Sequence, residues 1–131
     1  FLLSCDNAHA VHPNHPELSD PNHGVKLNGG VVIKYNAAQH YTSDGVSAAL
    51  FQLLCEEAGV PFQRYANRAD MAGNIANTQV SLNTVDIGLP QLAMHSAWET
   101  AGAEDTSSMV RALTVFYGKS LELTENGLAL V

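Results

Sequence analysis

The sequence predicts an α/β domain in which a mixed β-sheet is flanked by helices, because strand-like and helix-like segments alternate along it. Residues 31–35 form a β-branched run bounded by glycine and asparagine, a pattern typical of a buried strand. A segment with the 3.6-residue apolar period follows, beginning after Ser43 or Asp44 and ending near Ala58. With 131 residues and 46% apolar content, the chain is long enough for one compact domain with a hydrophobic core.

The remaining elements follow from the same patterns. In chain order they are a buried strand over residues 1–5, a strand over 61–66, a strand over 84–90 and a helix from Asp105 or Thr106 to about Tyr117. The apolar residues predicted to face the core are Val46, Ala49, Leu50, Leu53, Leu54 and Ala58 in the first helix, and Met109, Val110, Leu113 and Phe116 in the second. Residues 7–30, rich in Asn, His, Pro, Asp and Gly, predict a long loop. Residues 74–81 are ambiguous, and residues 121–131 are either a further strand or a loose end.

Composition and charge exclude several classes of partner. The net charge of −7 argues against a nucleic-acid-binding surface, which needs clustered Lys and Arg. No run of 18 apolar residues is present, so no membrane span is expected. Residues 1–6 lack a starting Met and the basic region of a signal peptide, so the chain reads as beginning in mid-domain. Cys5 and Cys55 match no metal-finger spacing and are expected to be reduced thiols of a cytoplasmic protein.

Two distant polar residues are the main candidates for a metal site. Asp6 follows the apolar run at residues 1–3, at the end of a predicted strand. His95 stands in the mostly apolar segment 91–96. Carboxylate oxygen and imidazole nitrogen suit zinc and its neighbours, so we expect the two side chains to meet around a metal. Two ligands are too few for a two-ion hydrolytic site, and a capping role for Asp6 or a core position for His95 explains the same pattern.

Four segments together resemble a known family. Residues 4–14, which read SCDNAHAVHPN, resemble the signature of the M18 metallo-aminopeptidases, the aspartyl aminopeptidases and their bacterial and vacuolar relatives. Three later segments match in the same order: 32–36 (VIKYN), 67–70 (NRAD) and 86–96 (DIGLPQLAMHS). The resemblance covers nearly the whole chain, and the combination of the four segments is specific.

The resemblance implies a dizinc exopeptidase that removes N-terminal residues from peptides. The motif positions of the family place zinc ligands at Asp6 and His95, and cobalt or manganese are alternatives to zinc. Lys34 falls where the family reads the acidic side chain of an aspartyl substrate, and a lysine there is a compact charge that can neutralise a carboxylate. Because some members accept neutral residues, Lys34 favours acidic substrates without fixing the preference.

The chain departs from the family pattern in length. Members are several times longer and carry upstream a His, a bridging Asp, and a Glu next to the catalytic Glu, none of which is present here. The chain therefore resembles the C-terminal portion of the catalytic domain, without the upstream portion and the inserted oligomerisation domain. By comparison with the family pattern, about five residues of the Gly-rich loop that follows Asp70 are missing here. Either the given sequence skips these residues, or they are deleted, and a deletion would impair the substrate pocket.

These departures decide what is expected of the chain and its partners. The expected partners are a peptide substrate, the remainder of the catalytic domain and further copies of the full-length protein. The chain alone is expected to have little or no activity. An alternative is a non-catalytic assembly or packing fragment with an empty metal site, and a third is a small metal-binding domain that uses only Asp6, His9 and His12.

Four other residues are candidates for supporting roles. His9 and His12 are expected to be turn residues that hydrogen-bond backbone, with orientation of Asp6 as the alternative. Asp70 either caps a following helix or lines the pocket. Glu99 follows His95 by four residues, so on a helix the two would share a face and Glu99 would orient the imidazole.

Overall fold

A four-stranded mixed sheet forms the centre of the fold in the computed structural model, which describes residues 1–36, 40–67, 82–125 and 127–131. The two helices are α1 (Gly45–Ala58) and α2 (Ala103–Tyr117), and a short 3₁₀ helix covers Pro16–Leu18. The strands are, in chain order, β1 (Leu2–Cys5), β2 (Ala8–His9), β3 (Val31–Asn36), β4 (Phe62–Asn67), β5 (Thr84–Gly88), β6 (Pro90–Leu92), β7 (Thr100–Ala101), β8 (Leu121–Thr124) and β9 (Gly127–Leu130).

The strands form three sheets. The central sheet has the order β1-β5-β3-β4, with β1 parallel to β5, β3 parallel to β4, and β3 antiparallel to β5. The second sheet has the order β2-β6-β7, and β8 pairs with β9 in an antiparallel hairpin. The mixed α/β class predicted from the sequence is confirmed.

Alternating side chains divide the central sheet into two faces. On β3, Val31 and Ile33 pack in the cluster that contains both helices, whereas Val32 packs in a smaller cluster on the opposite face. On β5, Val85 and Ile87 follow the same rule and join the helix-side cluster. The helix-side core is completed by Ala48, Phe51, Leu54, Cys55, Val60 and Ala112. Both helices therefore cover one face, and the polar residues at alternate positions of β3 and β5 face the other way.

Helix α1 begins and ends where the sequence predicts. The Ser47 N–H donates to Asp44 Oδ1 at 2.7 Å and the Asp44 N–H donates to Ser47 Oγ at 3.0 Å, which forms a capping box. Gly59 ends the helix in the left-handed conformation with φ 62°. The predicted inward stripe is partly wrong, because Val46 and Leu53 are 52% and 54% exposed. The buried face consists of Ser47, Ala48, Leu50, Phe51, Leu54 and Cys55.

Helix α2 begins one turn earlier than predicted. Gly102 is its N-cap residue, and Asp105 lies inside the first turn with 1% exposure. The Asp105 carboxylate accepts hydrogen bonds from the Asn28 and Gly30 N–H groups at 2.8 and 2.9 Å. It therefore attaches the segment before β3 to the helix instead of capping it. The predicted inward position of Val110 is also wrong, since that side chain is 59% exposed.

Three further segments differ from the sequence-based expectation. The predicted loop over 7–30 contains β2 and the 3₁₀ helix. The single strand predicted over 84–90 is divided at Leu89, so that β5 belongs to the central sheet and β6 to the second sheet. The tail forms the β8–β9 hairpin, the strand alternative. Asp70 and residues 74–81 lie outside the described residues. Among the residues that the structure describes, no helix is long and apolar enough to span a bilayer.

Candidate metal centre

Asp6 lies directly after β1, on an exposed stretch of backbone that continues the pairing with β5. Its N–H donates to the Ile87 carbonyl at 3.0 Å, and its Oδ1 accepts a hydrogen bond from the Asn7 N–H at 2.8 Å. The chain passes so close to β5 here that a Cβ atom added at Gly88 would collide with the Asp6 carbonyl oxygen. Glycine at position 88 therefore permits the backbone position from which the Asp6 carboxylate projects.

His95 lies on an exposed turn after β6. The Ser96 N–H donates to the Ala93 carbonyl at 3.0 Å and closes the turn. His95 and Ala93 both adopt positive φ angles, 66° and 55°, which are uncommon for residues other than glycine and favour a functional constraint at the site. The Glu99 interpretation assumed a helix, whereas the Glu99 carboxylate accepts a hydrogen bond from the His95 backbone N–H at 2.6 Å. Glu99 thus holds the backbone of the turn.

The electrostatic environment of His9 links the two candidate ligands. His9 lies on β2 and pairs with Gln91 of β6, so it belongs to a strand and not to a turn. Partial burial lowers the pKa of the His9 imidazole, the charges of His95 and Lys34 lower it further, and the Asp6 carboxylate opposes the shift. Each of these three charged groups therefore lies near enough to His9 to influence its pKa. The position of His9 on a strand was not predicted from the sequence.

His12 takes no part in this group. Its Nδ1 accepts a hydrogen bond from the Asn14 N–H at 3.2 Å, and its ring lies 5.6 Å from that of His15. This is the turn role that the sequence favours for it. No group of three His, Cys, Asp or Glu residues that could hold a metal occurs among the described residues, so the small site of Asp6, His9 and His12 is not formed there.

Lys34 is a buried cation on the face of the central sheet that lacks helices. Its side chain is on β3, and the residue is only 2% exposed. Burial lowers the pKa of its ammonium group, while Asp6, Asp86 and Cys5 act in the opposite direction. Its Nζ lies 4.8 Å from the centroid of the Tyr41 ring, within the range of a cation–π contact. Lys34 is therefore held in place by neighbouring charges and an aromatic face.

Asp86 is the residue that sequence reasoning missed. It is 3% exposed on β5, and the antiparallel register that pairs Ile33 with Ile87 brings it beside Lys34. Its Oδ2 accepts hydrogen bonds from the backbone N–H and the Oγ1 of Thr42 at 2.6 and 2.8 Å. The available signal was an acid inside an apolar strand, because a buried carboxylate needs partners.

The ligand atoms of Asp6 and His95 suit zinc, but two residues are too few to complete a zinc site. Asp6 offers a carboxylate whose Oδ2 accepts no hydrogen bond within the described part of the chain, and His95 offers an exposed imidazole. Oxygen and nitrogen donors of these kinds are ordinary zinc ligands. Since no three-residue cluster occurs among residues that the structure describes, these two would need further ligands from outside those ranges.

Comparison with curated proteins gives close relatives. A probable M18 family aminopeptidase 2 of Pseudomonas paraeruginosa is 47% identical over 125 residues, covering 92% of this chain and 29% of the relative. A protein of the same name from Ectopseudomonas mendocina is 49% identical over 122 residues, covering 89% and 28%. The chain thus spans less than a third of the length of these relatives.

Solved structures and a family model agree with this. Yeast aminopeptidase 1 superposes with a TM-score of 0.78 and 29% identity, over 88% of this chain and 26% of that chain. An M18 aminopeptidase from Thermotoga maritima has a TM-score of 0.74 at 23% identity, over 86% and 28%, which supports the fold alone. The family model described as aminopeptidase I zinc metalloprotease (M18) matches residues 1–117, and the chain belongs to this family.

Proposed function

We propose that this chain is part of a zinc-dependent aminopeptidase that removes N-terminal residues from peptides, with Asp6 and His95 as two of the zinc ligands. The observation that carries the proposal is the pairing of β2 with β6, which brings the strand that follows Asp6 beside the strand that precedes His95, although the two residues lie 89 positions apart in a chain of the M18 family. The description of the family as zinc metalloproteases supports zinc. We further propose that the site holds two metal ions and that cobalt or manganese can replace zinc.

The residues of this chain hold and orient the reacting groups. Bound zinc would supply Lewis acidity for hydrolysis of the amide bond. The Asn7 N–H occupies Oδ1 of Asp6 and thereby sets the direction in which Oδ2 is presented. Glu99 holds the backbone of the turn that carries the imidazole of His95.

Lys34 is proposed to bind the side-chain carboxylate of an acidic N-terminal residue. A buried ammonium group attracts a carboxylate more strongly than an exposed one, because less water screens the pair. Asp86 and Tyr41 contact or face this cation and keep it in position before substrate arrives. On this basis we further propose that the enzyme prefers substrates with an acidic N-terminal residue.

The complete protein is proposed to contribute the rest of the catalytic domain. Residues 1–131 span 29% of the length of a curated relative. Their resemblance to the later motifs of the family supports placing them in the C-terminal portion of that domain. The missing ligands and the general base would come from that remainder. One structural relative, from S. cerevisiae, was solved as a dodecamer, which supports assembly of further copies. The free thiols of Cys5 and Cys55 are in keeping with a cytoplasmic location.

Replacement of His95 in the complete protein tests the proposal. The wild type is expected to contain about two zinc ions per chain and to hydrolyse aminoacyl p-nitroanilides. His95→Ala should lose zinc, measured by mass spectrometry of the metal, together with most of the turnover. His15→Ala is the matched control, because His15 is exposed and contacts Glu17 at 3.1 Å. Equal zinc content in wild type and His95→Ala would contradict the proposal.

A further inference from the structure

We propose that the hydrogen bond between the side chains of Asn7 and Gln91 is a positioning clasp that sets the relative placement of Asp6 and His95. The inference rests on the proposed function, since it concerns the geometry of those two ligands. Neither Asn7 nor Gln91 would touch zinc, and both would act through their neighbours. The clasp joins the segment that carries one ligand to the strand that leads to the other.

Asn7 contacts both partners at once. Its Nδ2 donates to Gln91 Oε1 at 2.6 Å, and its backbone N–H donates to Asp6 Oδ1 at 2.8 Å. The side-chain bond restricts rotation of Asn7, and the backbone bond passes that restriction to the Asp6 carboxylate. A hydrogen bond to a ligating carboxylate is the kind of contact that fixes a metal ligand in its binding orientation.

Gln91 is well placed to serve as the fixed end. It is 5% exposed in the central strand of the second sheet, where it pairs with His9 of β2 on one side and Ala101 of β7 on the other. Its carbonyl also accepts a hydrogen bond from the Ala10 N–H at 2.9 Å. His95 follows four residues later. Any shift of Asn7 relative to Gln91 would therefore change the distance between the two ligands.

The backbone pairing does not require this side-chain bond. The Ala8 N–H donates to the Leu89 carbonyl at 2.8 Å, so the strands remain joined when the side chains are changed. Loss of the clasp is expected to preserve the sheet and to loosen the orientation of Asp6. Metal affinity separates these two effects, because a purely structural bond would change stability and leave the affinity of folded protein unchanged.

The test measures zinc affinity in the apo form of the complete protein, by competition with a chromophoric chelator and without any assay of turnover. Asn7→Ala and Gln91→Met should each weaken zinc binding about tenfold or more. The double variant should be no weaker than the weaker single variant, since both changes remove the same bond. Gln52→Met is the matched control, because Gln52 accepts a hydrogen bond from Arg64 and is not part of the clasp.

The outcomes separate the clasp from the proposed function. Gln91→Glu keeps an acceptor at the same reach and should restore affinity. Wild-type affinity in both single variants, or losses that multiply in the double variant, would overturn the clasp. If His95→Ala loses zinc while the clasp variants do not, only the clasp fails. If His95→Ala retains zinc, the proposed function fails first. Should Gln91→Met not fold, Asn7→Ala decides, because its exposed side chain leaves no cavity.

Discussion

Gly88 determines how closely the backbone of Asp6 approaches β5. A Cβ atom at this position would collide with the Asp6 carbonyl oxygen, and backbone cannot move aside as a flexible side chain can. Gly88→Ala in the complete protein should therefore weaken zinc binding and lower the free energy of unfolding by about 1–3 kcal/mol. Chelator competition and thermal denaturation measure the two effects.

Gly45 provides the control for that substitution. It is the first residue of α1, and an added Cβ atom there meets no atom within 4 Å. Gly45→Ala should be neutral or stabilise the fold by up to about 1 kcal/mol. Equal effects of the two substitutions on zinc affinity would contradict the role assigned to Gly88.

Lys34 should control the preference for acidic N-terminal residues. Lys34→Met in the complete protein removes the charge and keeps much of the apolar stem, so kcat/KM for an aspartyl or glutamyl substrate should fall at least about tenfold relative to an alanyl substrate. Lys26→Met, a change at an exposed lysine, should leave the ratio unchanged. A ratio that is the same in Lys34→Met and wild type would assign substrate selection to another residue.

At the scale of single residues, the sequence proposes candidates for the site but does not give their surroundings. Asp6, His95 and Lys34 were singled out by motif, but the environment of Lys34 depends on strand register, which brings Asp86 beside it. Glu99 was assigned to the imidazole of His95 because a helix was assumed. The positive φ of His95, which makes the segment a turn, has no sequence signal as clear as a glycine would give.

Among the elements, α2 depends on a buried carboxylate in its first turn. Asp105 accepts two backbone N–H groups from the segment before β3, and both donors would be left unsatisfied without it. Asp105→Ala should lower the free energy of unfolding by about 2–3 kcal/mol, measured by urea denaturation. Glu104→Ala, at the exposed neighbouring position, should change it by less than about 0.5 kcal/mol. Similar losses in the two variants would refute this attachment.

The sequence predicted where α1 ends more reliably than which side it buries. Its ends are marked by local chemistry, the capping box at Asp44 and the left-handed Gly59. Its inward face is ambiguous because apolar residues occur nearly all round the helix, and only contact with β3 and β5 selects Phe51 over Leu53. The separation of β5 from β6 also depends on residues distant in sequence, because β5 pairs with β1 and β3 whereas β6 pairs with β2 and β7.

For the molecule as a whole, the chain of residues 1–131 alone is expected to lack aminopeptidase activity. Within the described ranges no group of three potential metal-ligating residues occurs, so a stable hydrolytic centre needs additional ligands. Purified chain should show no turnover of aminoacyl p-nitroanilides above a His95→Ala version of the same chain. Turnover that His95→Ala removes would mean that this chain holds a sufficient site by itself.

The fold class and the family followed from sequence because they depend on patterns spread over most of the chain. Alternating strand and helix segments indicated the α/β class, and four ordered segments carried the resemblance that the family model confirms. The second sheet was not predicted, since its strands are two or three residues long and are defined only by their pairing. Short strands of this kind carry too few residues for periodicity to reveal them.

Alternate residues of β3 face the helices or the opposite side, and this alternation limits how the sequence can change during evolution. Substitutions at Lys34 or Asp86 can change which ligands the face without helices binds, and they leave the packing of the helix-side core unchanged. Insertion of one residue between Val31 and Lys34 would do the opposite, because it would turn Lys34 towards the face that the helices cover. Homologous sequences should therefore keep a fixed residue count between Gly30 and position 34, and a change of charge at position 34 should be accompanied by a change at position 86.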